Sequence, residues 1–121
     1  MFQGLRTVIY HVPDLGRAKA WYTAAFGTPP YFDQPFYVGF NIGGYELGLN
    51  PDMRGVEIGT NVVAYWGVPE IDAAMAHMVE AGARVHEKIT EVGGGIKVAV
   101  VTDPFGNVVG LIENPHFAVP G

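Results

Sequence analysis

Val12-Pro13-Asp14-Leu15 and Val68-Pro69-Glu70-Ile71 are one four-residue phrase written twice, 56 positions apart. The offset continues beyond the phrase, pairing Ala18 with Ala74 and Ala25 with Ala81. A second echo follows in each half. Gly44-Tyr45-Glu46-Leu47-Gly48-Leu49 returns as Gly106-Asn107-Val108-Val109-Gly110-Leu111, now 62 positions on. A repeat of this length marks a duplicated supersecondary unit, too small to bury its apolar face alone. Two such units facing one another leave a cleft between them.

Working outward from the first phrase, Thr7-Val8-Ile9-Tyr10-His11-Val12 is β-rich and ends at Pro13. Asp14 is placed to cap a helix by accepting from the free amides of its first turn. Leu15, Ala18, Tyr22, Ala25 and Phe26 recur at three- and four-residue steps, and Gly27 suits a left-handed helix end. After Thr28-Pro29-Pro30, residues 31–50 carry enough aromatic and glycine punctuation for three short strands, with Gly43-Gly44 as a hairpin turn. Residues 51–59 read as a linker.

The second half repeats the plan. Residues 60–68 read as a strand, and Ile71, Ala74, Met75, Met78 and Ala81 form the next helical stripe. Strands are expected over 83–92, 96–102 and 108–113, with Gly93-Gly94-Gly95 and Asp103-Pro104-Phe105-Gly106-Asn107 as turns. The fold class is therefore α+β. Two βαβββ modules stand in tandem, about 1–52 and 59–117 within one domain of 1–121, their curved sheets around a concave cleft.

Composition narrows the function. Twelve acidic residues against seven basic ones give a formal charge of −5, without the basic cluster that phosphate neutralisation needs, so nucleic acid is not an expected partner. The absence of cysteine removes thiolate chemistry, disulfides and sulfur-bound zinc. No apolar run approaches the ~18 residues of a membrane span, and the first residues lack a signal-peptide layout. A soluble, cytoplasmic protein is expected. With 49% hydrophobic and only 16% charged residues, a chain this small is expected to hide apolar surface in a homodimer.

The order Val-Pro-Asp-Leu, Val-Pro-Glu-Ile, then Asp103-Pro104-Phe105-Gly106-Asn107 before the last strand resembles the vicinal oxygen chelate superfamily. That superfamily includes glyoxalase I, fosfomycin and bleomycin resistance proteins, and extradiol dioxygenases. The resemblance covers essentially the whole chain, and the tail 110–117 looks like that of its poorly characterised members. It implies paired βαβββ modules around a shared concavity, commonly in a dimer.

The resemblance also implies where a metal would sit: a His early in the first strand, a Glu in the fourth, a His or Gln opening the fifth, and a Glu in the eighth. Such ligands hold a divalent ion with open positions for substrate oxygens. Here the first, third and fourth positions are Thr7, Val63 and Gly110. The second is Glu46 by local context, or Gly48 by the internal repeat; both lie on one strand face. With at most one ligand kept, the expectation is no metal and no cofactor.

Glu46 has two readings. Aimed into an apolar cavity, its carboxyl would titrate high and act as a general base; on an edge strand it would be solvated or salt-bridged. His11 shares a strand face with Thr7 and Ile9, as ligand contact, proton carrier or partly buried structural residue. Tyr65 holds the equivalent place in the second half, as ligand contact or packing. His77 faces away from the helical stripe, His86 and Glu87 lack partners at metal spacing, and His116 lies in a Pro-rich tail. Trp21 and Trp66 read as packing. The glycine triplet at 93–95 lacks the helix and Lys of a phosphate loop, leaving a turn or flap.

The functional expectation is a metal-free small-molecule binding protein of the bleomycin-resistance type. An apolar or aromatic ligand would be held by Thr7, Ile9, His11, Glu46, Val63, Tyr65, Gly110 and Ile112, with the missing side chain at Gly110 opening room. The alternatives are a lyase or isomerase using Glu46 or His11 for proton transfer, and a metal-dependent glyoxalase or dioxygenase with a diverged site.

Overall fold

The computed structural model describes residues 1–117, and the chain divides after Glu57 into two compact units. Module one runs β1 (Thr7–His11), α1 (Leu15–Phe26), β2 (Phe32–Gln34), β3 (Tyr37–Ile42) and β4 (Tyr45–Asn50). Its sheet order is β1-β4-β3-β2, with β1 parallel to β4 and the other pairs antiparallel. Parallel pairing needs a long crossover, and α1 with β2 and β3 supplies it.

Strand alternation separates two faces of this sheet. Tyr10, Val38, Phe40, Leu47 and Leu49 are buried on the face that meets α1, where Tyr10 and Tyr22 stack at 5.7 Å. Thr7, Ile9, His11, Tyr37, Gly39, Asn41, Glu46, Gly48 and Asn50 therefore belong to the opposite face. The Asp14 side chain caps α1, accepting from Arg17 N at 3.0 Å, and Gly27 ends the helix at φ +71°. Gly43 and Gly44 both have positive φ in the β3–β4 turn, which Asn41 Oδ1 closes by accepting from Gly44 N.

Module two repeats the plan with β5 (Tyr65–Gly67), α2 (Ile71–Glu80), β6 (Arg84–Glu91), β7 (Lys97–Thr102) and β8 (Val108–Glu113), ordered β5-β8-β7-β6. The repeat carries over to register: Ile9 pairs with Gly48 in module one, and their counterparts Tyr65 and Gly110 pair in module two. The expected strand over 60–68 is shorter than its first copy. Gly59 and Asn61 favour turn over strand, and β5 begins only at Tyr65, so Val63 precedes β5 and lies outside the ladder.

The helix caps also differ between copies. Glu70, equivalent to Asp14, makes no side-chain cap; a glutamate is one methylene longer than the preferred capping residues. Glu113 Oε1 on β8 accepts from Ile71 N at 2.9 Å instead. Asp103 is buried and builds the β7–β8 turn, accepting from the backbone N–H of Phe105 and Asn107 and from Asn107 Nδ2. Among the described residues, no helix is long and apolar enough to cross a membrane.

Candidate functional site

Glu46 is the centre of a hydroxyl cluster on the face of module one away from α1. Its Oε1 accepts from Thr7 Oγ1 at 3.2 Å and from the Tyr37 hydroxyl at 2.9 Å, and its Oε2 accepts from the Tyr31 hydroxyl. Register places two of these partners. Thr7 lies directly opposite Glu46 in the parallel β1–β4 ladder, and Tyr37 stands on the same face of the neighbouring β3. Tyr31 reaches in from just before β2, its backbone N–H bonded to Gly39 O.

Two glycines make the arrangement possible. A Cβ on Gly39 would stand 2.9 Å from Glu46 Oε2 and 3.2 Å from Tyr31 Cε1. A Cβ on Gly48 would fall 2.6 Å from Tyr37 Cζ and closer still to its hydroxyl. Gly39 and Gly48 are direct cross-strand partners, so the floor beneath the tyrosines is bare backbone across two adjacent strands.

The electrostatics follow from the hydrogen bonds. The Tyr31 hydroxyl, with help from Tyr37 and Thr7, holds the Glu46 carboxyl below its ordinary value, against the opposing effect of partial burial. Partial burial, and then the bond to Glu46, push the Tyr37 hydroxyl upward; the bond to Glu46 does the same for Tyr31. Glu46 is thus an ionised carboxylate held by neutral phenols. Of the two readings of Glu46, the raised value is not what the cluster produces, because three hydroxyl donors outweigh desolvation. Nor is Glu46 on an edge strand or salt-bridged: β4 lies between β1 and β3.

The other candidates are divided between the two modules. Ile9 is exposed on the same face as Thr7. His11 shares that face but lies four residues, about 13 Å, along β1, where its Nδ1 donates to Asp52 O at 2.9 Å. Tyr65, Gly110 and Ile112 share the face of module two away from α2. Gly110 opens no room there. A Cβ on it would meet the Tyr65 ring at 2.6 Å and Ala64 O at 2.8 Å, so that ring already occupies the space. His77, His86 and Glu87 are exposed, and His116 Nε2 donates to Gly94 O, tying the tail to the glycine turn. Trp21 packs edge-on against Tyr22. An open depression of about 500 Å³ beside α1 and β2 is lined by the Lys19–Asp33 ion pair and has no reactive group turned into it.

Tyr31, Tyr37 and Gly39 were not singled out by sequence reasoning. The parity signal was available, since Tyr37, Gly39 and Asn41 alternate on β3, but their pairing with β4 was not. Metal ligation does not fit the residues present. Val63 and Gly110 carry no donor side chain, Glu46 is the one carboxylate in its cluster, and among the described residues no three His, Cys, Asp or Glu side chains come together to hold an ion.

A search among curated proteins finds no match. Solved structures match the fold closely. A glyoxalase-related enzyme from Fulvimarina pelagi aligns with a TM-score of 0.80 at 19% identity, covering 98% of this chain and 94% of that one. A fosfomycin resistance protein from Listeria monocytogenes aligns at 0.78 and 16% identity, covering 96% and 97%. A glyoxalase/bleomycin resistance protein/dioxygenase family enzyme from Burkholderia phytofirmans PsJN aligns at 0.76 and 20%, covering 88% and 95%. At these identities the likeness is one of fold. The family itself is shown by a sequence model that matches residues 4–111, and with it the repeated βαβββ plan acquires its name: the chain belongs to the glyoxalase/bleomycin resistance protein/dioxygenase superfamily.

Proposed function

We propose that this protein is a metal-free, homodimeric small-molecule binder of its superfamily, holding an apolar or aromatic ligand against the open face of module one. The observation that carries the reading is the set of three hydroxyls on Glu46. Where relatives that use a metal need imidazole and carboxylate lone pairs, this chain has hydroxyl donors that occupy the one carboxylate. Exposed aromatic surface from Tyr31, Phe32 and Phe36 beside the cluster gives a ligand an apolar contact.

Two features count against proton-transfer catalysis. Glu46 is held ionised by its donors, which weakens it as a base, and His11 is turned to the Asp52 carbonyl away from the cluster. The test combines elemental analysis of the purified protein with thermal unfolding in the presence and absence of Mn²⁺, Ni²⁺, Zn²⁺ and Fe²⁺. The expected result is no stoichiometric metal and no stabilisation by any ion. About one ion per chain, removed by chelator together with stability, overturns the proposal.

A further inference from the structure

The cluster around Glu46 has no hydrogen left to give. A threonine or tyrosine hydroxyl carries one hydrogen and two acceptor lone pairs. Thr7, Tyr31 and Tyr37 each direct that hydrogen to the carboxylate. What remains for a ligand is the unused lone pairs of three hydroxyl oxygens and of the carboxylate itself. These four groups therefore present only acceptors and one negative charge, with the Asn41 amide across the strand from Glu46 as the neighbouring donor.

Among the described residues, no ion pair joins Glu46 to a cation. Lys19 pairs with Asp33 beside α1, Arg54 pairs with Asp52, and the Arg6 guanidinium donates to Gln3, Gly4 and Leu5. His11 is the basic group on the same face, four residues along β1 and bonded to Asp52 O. An anionic ligand would meet Glu46 with like charge. From the three hydroxyls a neutral acceptor would gain a hydrogen only by breaking a charge-assisted bond.

The rim adds a second requirement. Phe32 shares the face of Gly39 on the adjoining strand, with its ring 6.1 Å from both Phe36 and Tyr37. Tyr31 and Phe36 are 63% and 66% exposed, so aromatic faces stand open beside a carboxylate. Rings in this setting attract a cation as well as an apolar body. The chain's formal charge of −5 favours approach of the same species.

We infer that the open face of module one takes an organic cation rich in N–H donors, an ammonium, amidinium or guanidinium on an aromatic or apolar body. Its head sits against Glu46 and the three hydroxyl oxygens, and its body lies on Phe32 and Phe36. This rests on the reading of that face as a small-molecule site and names the ligand's chemical class.

Three probes of nearly equal shape separate the possibilities: 2-phenylethylamine, 2-phenylethanol and phenylacetate, each titrated against the whole chain while backbone amide NMR signals are followed. The amine is expected to shift signals at Thr7, Tyr37 and Glu46 and to bind at least tenfold more tightly than the alcohol, with phenylacetate silent. Glu46→Gln should remove the amine's advantage over the alcohol. Tyr31→Phe, at an exposed position, should weaken the amine a few-fold in a chain whose spectrum stays native. Equal binding of alcohol or acid at these residues, or an amine indifferent to Glu46→Gln, overturns the cation assignment and leaves the face as a binding surface. Silence of all three probes on this face overturns both.

Discussion

Glu46 shows how a residue acquires its chemistry from its neighbours. Alone on a strand it would titrate near 4.5; with hydroxyl donors on both oxygens it is held lower. The folded state therefore gains stability from ionised Glu46 above pH 4.5, and that gain disappears as the pH falls through the depressed value. Tyr31→Phe and Tyr37→Phe should each raise the Glu46 midpoint in a carboxyl carbon-13 NMR titration, with Tyr31→Phe giving the larger shift. An unmoved midpoint in both variants would mean that the hydroxyls do not set it. Gly48→Ala tests the floor of the cluster. The new methyl displaces the Tyr37 ring, so Glu46 should respond as it does in Tyr37→Phe, with a stability loss of about 1–3 kcal/mol typical of overpacking. A variant that keeps wild-type stability and the wild-type Glu46 midpoint would show that the ring does not rest on Gly48.

At the scale of elements, the two modules reach the same fold by different local means. α1 is capped by its own Asp14, whereas α2 is capped by Glu113 from β8, 42 positions along the chain from Ile71. Tertiary structure has replaced a local signal with a distant one. Glu113→Ala should therefore cost about 1 kcal/mol in denaturant unfolding, the usual loss for a removed cap, while Glu70→Ala should be near neutral. The reverse order would return the cap to Glu70. β5 and β1 differ for a similar reason. The repeat predicts equal strands, but turn-favouring residues before Val63 confine the second copy to Tyr65–Gly67, where the Tyr65 ring covers Gly110. The position that reads as an open hole in the sequence is thus filled by its ladder partner.

For the whole molecule, the proposed homodimer follows from a shortage of charge relative to apolar surface. Ile9, Ile58, Val62, Tyr65, Val79 and Val85 are all exposed in the single chain. Light scattering at micromolar concentration is expected to report twice the 13.0 kDa chain mass. A mass of one chain under those conditions would rule the dimer out.

The repeat, the turn chemistry and the period of each stripe were enough to determine the fold class, the element order and the family resemblance. These are local signals, carried by residues close in sequence, and the 56- and 62-residue offsets recur in the strand register itself. Sequence parity also placed Thr7, Ile9 and His11 on one strand face. It left undecided what surrounds Glu46, because Thr7, Tyr31 and Tyr37 come from three segments and meet the carboxylate only when β1, β3 and β4 are laid side by side. Likewise Gly39 and Gly48 read as ordinary strand glycines until cross-strand pairing makes them one floor beneath two tyrosines. Hydrogen bonds and close approaches between distant segments depend on register, and only the tertiary structure decides register. That is why the element holding Glu46 was legible in the sequence and the chemistry of its carboxylate was not.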